Sequence, residues 1–324
     1  MKTFFDMHTH AFDAISVPLD NIIARYGTAL QILMAKIPWI KVDDRVKATL
    51  NYMQLGTKKI LVNTQATILE AAQKNGYDNC VIASLFVDFS QVNPQFHQLD
   101  FLRYFDSCLE GSQIDGCKIL MFYGVNFNNK RSIDKAVNLY KSGIISGVKI
   151  YPPISVMIND CFGFEYFFYS MEKYGIPIVT HCSDGGFIKR GESRRYANKK
   201  TNPTNYEKML YKYPKTRMIL AHAGGSDKNF RQKVFEYCRQ YRNVYTDISY
   251  SLTNKKDMYN IIDSAVKNNS LHKIVFGTDY YVSMFEQLSY KKTVADFKEF
   301  VGDKLFDRIV NRNPISFLEA TYEK

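Results

Sequence analysis

The sequence predicts a (β/α)8 barrel in a single domain. Three observations predict it. Short apolar runs of β-forming residues alternate with amphipathic helical patterns almost throughout the 324 residues, side chains able to bind metal recur at the C-terminal ends of those runs, and no Gly/Ser- or Pro-rich linker or internal repeat divides the chain. Repeated strand–helix units imply a parallel sheet covered by helices. A chain of this length folds as one large α/β domain or two smaller ones, and without a linker one domain is the better reading.

Strand-like runs fall at 3–10, 59–63, 80–88, 117–124, 146–151, 176–182, 216–222, 243–248 and 273–279. Nine is one more than the barrel needs. The run at 59–63 is set aside because it leads into helix-like Ile68 to Asn75 and belongs with an insertion between strand 1 and its helix. That insertion, 11–64, is long for a connection, contains helices of its own and is placed to form a lid over the end of strand 1. In 43–55, Val46, Leu50 and Met53 mark one helical face, with Asp43 and Asp44 at its start and Gly56 past its end. In 163–174, Phe164, Phe167, Phe168 and Met171 mark a face closed by Gly175. Asn202-Pro203 reads as N-cap and first position of a helix over 204–212. Ser226 is expected to cap 227–241, with the stripe Phe230, Val234, Cys238 and Tyr241. Ile261, Ile262, Ala265 and Val266 mark the next helix, and 314–320 a terminal one.

Composition narrows the class. Apolar residues at 46% and aromatics at 15% suffice for a large core, while no run approaches the ~20 apolar residues that span a bilayer. The N-terminus has one lysine and then enters a strand, without the apolar segment of a secretory signal, which predicts a cytoplasmic protein. Six cysteines show no C-x-x-C pair and sit mostly in apolar runs, as buried free thiols do. The net charge of +11 raises the question of nucleic acid, but the charge is dispersed and no nucleic-acid module is present. The densest basic cluster, Lys189 to Lys200 with Arg190, Arg194, Arg195 and Lys199, could attract an anionic substrate.

The chemistry begins at His8-Thr9-His10. On an extended strand His8 and His10 point to one face, about 7 Å apart, and Thr9 to the other. Alone the pair is weak, since a chain with 6 histidines holds an H-x-H by chance about once in ten. Further along, Ile178-Val179-Thr180-His181 and Met218-Ile219-Leu220-Ala221-His222 end in histidine, Ile274 to Asp279 ends in a carboxylate, and Val148-Lys149-Ile150-Tyr151 carries a lysine. Taken singly, His181 and His222 read as structural histidines, Asp279 as a turn cap and Lys149 as a snorkelling surface residue. His97 and His272 lie off strand ends and read as structural. In a (β/α)8 barrel, strand C-termini converge on one mouth, and four independent accidents at equivalent strand ends are improbable. Three histidines and a carboxylate suit Zn²⁺ or another first-row cation. Such a cation lowers the pKa of water towards ~7 and polarises a carbonyl, with Asp279 or His222 moving the proton.

Phe-Asp-Met-His-Thr-His (5–10), Gly-Val-Lys-Ile-Tyr-Pro-Pro (147–153), Ile-Val-Thr-His-Cys-Ser (178–183), Leu-Ala-His-Ala-Gly-Gly (220–225), Val-Tyr-Thr-Asp-Ile-Ser (244–249) and Phe-Gly-Thr-Asp-Tyr (276–280) together resemble the strand motifs of the amidohydrolase superfamily. The resemblance runs from residue 3 to about 320 and is closest to the compact amidohydrolase-related branch of hydrolases and decarboxylases. It implies His8, His10, His181 and Asp279 as ligands of the more buried metal, with Asp279 also acting as general base. It implies His222 as a second-metal ligand or as an acid/base in one-metal members. An unmodified ammonium at Lys149 would be repelled by two cations. The resemblance therefore implies a single metal with Lys149 facing the substrate, or two metals bridged by carboxylated Lys149. Homodimers are common in this branch.

The leading expectation is a zinc-type hydrolase of a small amide, lactone or ester. The alternative is a non-oxidative decarboxylase using the same ligands. A decarboxylase needs a cation for the substrate carboxylate, so Arg190, Arg194 or Arg195 on the strand-5 loop is expected in the pocket, although a carboxylated lactone or amide would need the same arginine. Tyr151, at the end of strand 4, Arg194 and Arg195 are the candidate substrate contacts. A barrel that binds without turnover is the third reading, and the intact ligand set argues against it.

Overall fold

The computed structural model describes residues 1–11, 55–92, 105–106, 110, 114–158, 162–189, 191–252, 254–280, 282–285 and 289–319. Eight parallel strands follow one another in chain order. They are β1 (Thr3–Thr9), β2 (Asn79–Leu85), β3 (Cys117–Gly124), β4 (Gly147–Ile150), β5 (Ile178–His181), β6 (Met218–Ala221), β7 (Val244–Asp247) and β8 (Ile274–Val275). The helices among the described residues are α1 (Thr57–Lys74), α2 (Lys130–Lys141), α3 (Phe162–Tyr174), α4 (Arg194–Thr201), α5 (Glu207–Lys212), α6 (Lys228–Gln240), α7 (Lys255–Lys267), α8 (Tyr290–Val301), α9 (Asp303–Asp307) and α10 (Asn313–Glu319). The chain is thus a single-domain (β/α)8 barrel. Where β8 meets β1, Met7 N–H donates to Phe276 O at 2.8 Å and Thr9 bridges Tyr280. None of the described helices is long and apolar enough to cross a membrane.

Two apolar layers hold the barrel. Inside, Phe5, Met7, Leu85, Phe122, Ile219 and Val275 pack together, and Phe317 of α10 joins them. Between strands and helices lies a larger cluster that includes Phe4, Ile82, Val148 and Ile178. The face of α3 foreseen from sequence is buried there: Phe164, Phe167, Phe168 and Met171. Full burial of a Phe stabilises by about 1.5–3 kcal/mol.

One irregularity positions the site. Phe5 and Met7 point into the barrel and Phe4 points out, so strict alternation would turn His8 outward. The pairing register of β1 with β2 slips between Asp6 and Thr9. A bulge of this kind re-aims the residues that follow it, and His8 and His10 both reach the cavity at the mouth.

Several local expectations are corrected. Residues 59–63 form no strand. They lie within α1, whose Ile60, Leu61, Ile68, Ala71 and Ala72 are buried at helical spacing, so 57–64 belongs to the barrel's first helix rather than to the insertion. The rest of the insertion, with the helix expected over 43–55, falls outside the described residues, apart from Ala11, Leu55 and Gly56, as do His97 and Arg190. Asp227, not Ser226, caps α6, accepting from the N–H groups of Asn229 and Phe230. Val266 is exposed, while Ile261 and Ala265 are buried on α7. Asn202 caps the turn at Pro203 as expected, through Thr204 N–H. Cys80 and Cys117, unrelated by sequence spacing, are register partners on β2 and β3 with sulfurs 2.8 Å apart.

Candidate active site

The strand ends deliver the expected side chains to one cavity of about 440 Å³, with His8, His10, Lys149, His181, His222 and Asp279 at its floor. His10 Nδ1 lies 2.7 Å from Leu85 O, a donor's geometry, and its Nε2 faces Asp279 Oδ1 at 3.1 Å. His8 Nδ1 donates to Asp247 Oδ2 at 2.8 Å, leaving Nε2 directed at Asp279 Oδ1 3.6 Å away. Ligand atoms of His8, His10 and Asp279 all lie within 4.8 Å of one another. Gly277 makes this approach possible, since a Cβ there would stand 2.7 Å from His8 Cβ.

On the opposite side, Asp247 organises the histidines. Its Oδ1 accepts from His222 N–H at 2.9 Å, from Ser249 N–H at 3.1 Å and from the Ser249 hydroxyl. Ser249 Oγ in turn lies 2.8 Å from His222 Nδ1 and accepts its proton, so the lone pair of His222 is on Nε2. That nitrogen faces His181 Nδ1 at 3.0 Å, and His181 Nε2 donates to Gly185 O at 3.1 Å. His8, His222 and Asp247 also come within 4.8 Å of one another. With both Asp247 oxygens occupied by donors, that group is a hydrogen-bond network and not a cation site.

Charge follows from these contacts. Burial, reinforced by the Lys149 charge and opposed by Asp247, takes His8 down to about 3. Burial and the neighbouring His222 and Lys149 charges hold His181 well below the ordinary histidine range. Burial lowers His222 as well, against the pull of Asp247 and Asp279. For Asp279, burial favours the neutral acid, but the His10 hydrogen bond and the charges of His8, His10 and His222 outweigh it and keep the carboxyl far below its usual range. Asp247 behaves likewise, through His8, His222 and Ser249. Burial takes Lys149 down to about 8, with Asp247 and Asp279 opposing.

The donor set fits a divalent cation. With Nδ1 of His10 donating to Leu85 O, its Nε2 meets Asp279 Oδ1 at 3.1 Å either through a further proton, which makes their hydrogen bond, or through a cation. His181 Nδ1 and His222 Nε2 face each other in the same way at 3.0 Å. Facing lone pairs at such distances require a proton or a cation between them. Nitrogen and carboxylate ligands suit zinc and other first-row metals. His181, expected with His8, His10 and Asp279, is not one of that three-residue cluster and is turned towards His222. The Lys149 ammonium donates to His8 Nε2 at 3.3 Å, the lone pair a cation would take.

Residues just past the ends of β6, β7 and β8 are strained. His222, Tyr250 and Asp279 have φ of 68°, 67° and 57°, at about 1–3 kcal/mol each. Tyr151 lines the cavity as expected, its ring centroid 4.9 Å from that of His181, and its hydroxyl accepts Phe187 N–H at 2.7 Å. Gly186, at φ +93°, lets the loop after β5 pass over both rings: a Cβ would lie 2.3 Å from the Tyr151 hydroxyl and 2.9 Å from His181 Nε2. Arg194 and Arg195 are not where the sequence suggested. Both are exposed on α4 and neither lines the cavity; Arg194 instead donates to Gly186 O at 2.6 Å from outside the loop. Their nearness in sequence to β5 was misleading, because α4 turns them to solvent. Asp247 and Ser249 stand in the motif Val-Tyr-Thr-Asp-Ile-Ser without a role assigned from sequence, although Val-Tyr-Thr-Asp is itself an apolar run ending in a carboxylate.

The family model described as Amidohydrolase (Amidohydro_2) matches residues 5–319. By sequence, no curated protein matches the chain. Among solved structures, the chain is similar to a probable 2-pyrone-4,6-dicarboxylic acid hydrolase from Acinetobacter baumannii, with a TM-score of 0.59 and 14% identity over 98% of this chain and 99% of that one. A 5-carboxyvanillate decarboxylase from Sphingomonas paucimobilis gives a TM-score of 0.63 and 12% identity over 99% and 100%. A second 5-carboxyvanillate decarboxylase, from Novosphingobium aromaticivorans and complexed with manganese and 4-hydroxy-3-methoxy-5-nitrobenzoic acid, gives 0.62 and 12% over 98% and 96%. At these identities the likeness is one of fold.

Proposed function

The chain belongs to the amidohydrolase family, and from that membership we propose that this enzyme is a metal-dependent hydrolase cleaving a small amide, lactone or ester. The observation that carries the reading is the convergence of His8, His10 and Asp279 ligand atoms on one point of a barrel-mouth cavity. These three residues would hold a divalent cation, zinc first, and His181 and His222 would hold a second if Lys149 were carboxylated. When bound, such a cation would lower the pKa of a water molecule and polarise the scissile carbonyl.

The remaining chemistry belongs to the protein. Asp279, kept ionised, accepts the proton of the attacking water at a carboxylate oxygen. His222, fixed by Ser249 and Asp247, presents the lone pair of Nε2 to the cavity and, once protonated there, donates to the leaving group. Lys149, in its unmodified form, orients the carbonyl oxygen by donating to it. Tyr151 and the loop at Gly186 shape the wall against His181. Arg194 and Arg195 lie outside the cavity lining, and Lys149 is the one cation among its described lining residues.

The test is turnover by protein stripped with a chelator and reloaded with Zn²⁺ or Mn²⁺, on a panel of lactones, esters, amides and aryl carboxylates. Acid release from the first three, dependent on metal, is expected. Release of CO₂ from the carboxylates without acid release would replace the hydrolase with the decarboxylase.

A further inference from the structure

The cavity above the metal-type cluster is lined by two unlike sets of residues. Val87, Phe89, Phe187 and Val282 are apolar, and the Phe89 and Phe187 rings meet edge to face with centroids 6.2 Å apart. The wall from the loops after β6 and β7 is polar, with Ser226, Ser251, Asn254 and Asp257. Its charge is negative. Among the described lining residues the only cation is Lys149, which sits on the floor against His8. Of the two carboxylates above the floor, Asp184 is taken up by Ser226, accepting its N–H at 3.1 Å and its hydroxyl. Asp257 has no side-chain partner among the described residues.

The local backbone closes the other option for this wall. Asp257 occupies the first turn of α7, where the helix dipole stabilises a carboxylate. A helix start can also receive an anion through its free N–H groups. Here Asn254 Oδ1 already accepts the N–H groups of Lys256 at 3.0 Å and Asp257 at 3.3 Å. Lys255 and Lys256 are exposed and do not line the cavity. The wall therefore offers a carboxylate without a side-chain partner and, among the described lining residues, no cationic donor for a substrate carboxylate.

We propose that the substrate carries a protonated amine on the side remote from its scissile bond, with an apolar body against Phe89 and Phe187, and that Asp257 recognises the amine. This rests on the hydrolase reading and specifies its substrate as an amino-substituted ester, lactone or amide. A charge-assisted hydrogen bond to Asp257 in a half-enclosed cavity favours the cation by about tenfold over a neutral isostere.

Three benzohydroxamates differing only at the para position, with aminomethyl, methyl or carboxymethyl, separate the outcomes by calorimetric titration of the Zn²⁺-loaded protein. The cation binds tightest and the anion weakest. Asp257→Asn brings the cation to the level of the methyl compound, and Asp257→Lys makes the anion the tightest, with zinc content and melting temperature confirming that each variant is folded and loaded. A preference for the anion in the wild type, or an unchanged order in Asp257→Asn, overturns the assignment to Asp257 while leaving the hydrolase reading in place. Failure of all three to bind a protein that also lacks turnover removes both.

Discussion

The β1–β8 seam and the β6–β7 corner each rest on a fully buried aspartate, and the two are held in opposite states. Asp6, at the seam, accepts from Thr278 Oγ1 at 2.6 Å, the Tyr290 hydroxyl at 3.0 Å and two backbone N–H groups at 3.2 Å. These donors are neutral, and burial prevails, pushing the carboxyl up to about 7. Asp247, at the corner, meets His8, His222 and Ser249, and is held well below the usual carboxylate range despite the same burial. The difference lies in the neighbours: hydroxyls and amides make a buried carboxyl a structural clamp, while imidazoles make it a fixed negative charge that sets their tautomers. Asp279 shares the second condition, with His10 as its hydrogen-bond partner.

That contrast orders the expected effects of removing each carboxylate. Asp279→Asn, which removes both a ligand and the base, is expected to lower kcat/KM by about 10²–10⁴-fold, measured under steady-state conditions with saturating metal. Asp247→Asn leaves the ligands in place but frees the His8 and His222 rings. A loss of about 10–100-fold in metal affinity or rate is expected, read by competition with a chromophoric chelator. Near-normal affinity there would show that Asp247 does not position His8.

Asp6→Asn is expected to change the rate by only a fewfold and to show its effect in stability instead. A carboxyl whose folded pKa is raised from 3.8 to about 7 contributes stability that is fully present below about pH 4 and lost as pH rises to about 7. At ~1.4 kcal/mol per unit this is at most about 4 kcal/mol. Urea unfolding across pH 4–8 should show that decline in the wild type and its absence in Asp6→Asn. Asp247 and Asp279 contribute in the opposite sense, with stability present above the usual carboxylate range and lost as pH falls through their lowered values. Arg194→Ala, which removes only an outer prop on Gly186, is expected to alter kcat/KM by less than about threefold, since exposed polar contacts contribute ~1 kcal/mol or less.

How far these regions were legible in the sequence follows from the same physics. Strand-end histidines and Asp279 could be found because apolar runs announce strands and parallel topology brings their ends together. The bulge between Asp6 and Thr9 could not, because it depends on pairing with β2, and simple alternation in β1 places His8 on the wrong face relative to Met7. Asp247 carried the strand-end signal, yet its role comes from contacts with His8, 239 positions away, and with Ser249. Arg194 and Arg195 illustrate the converse, being close in sequence to His181 and turned away by α4. The run at 59–63 shows the ambiguity of short apolar segments, which helix length resolved in favour of α1.

The central claim is that His8, His10 and Asp279 form a cation site, and metal stoichiometry tests it most directly. Chelator-stripped protein incubated with Zn²⁺ or Mn²⁺, desalted and assayed by elemental analysis is expected to retain at least one metal per chain. The double variant His8→Ala/His10→Ala, folded by circular dichroism, is expected to retain almost none. A wild-type protein that binds no metal, or a double variant that keeps its full complement, would contradict the claim.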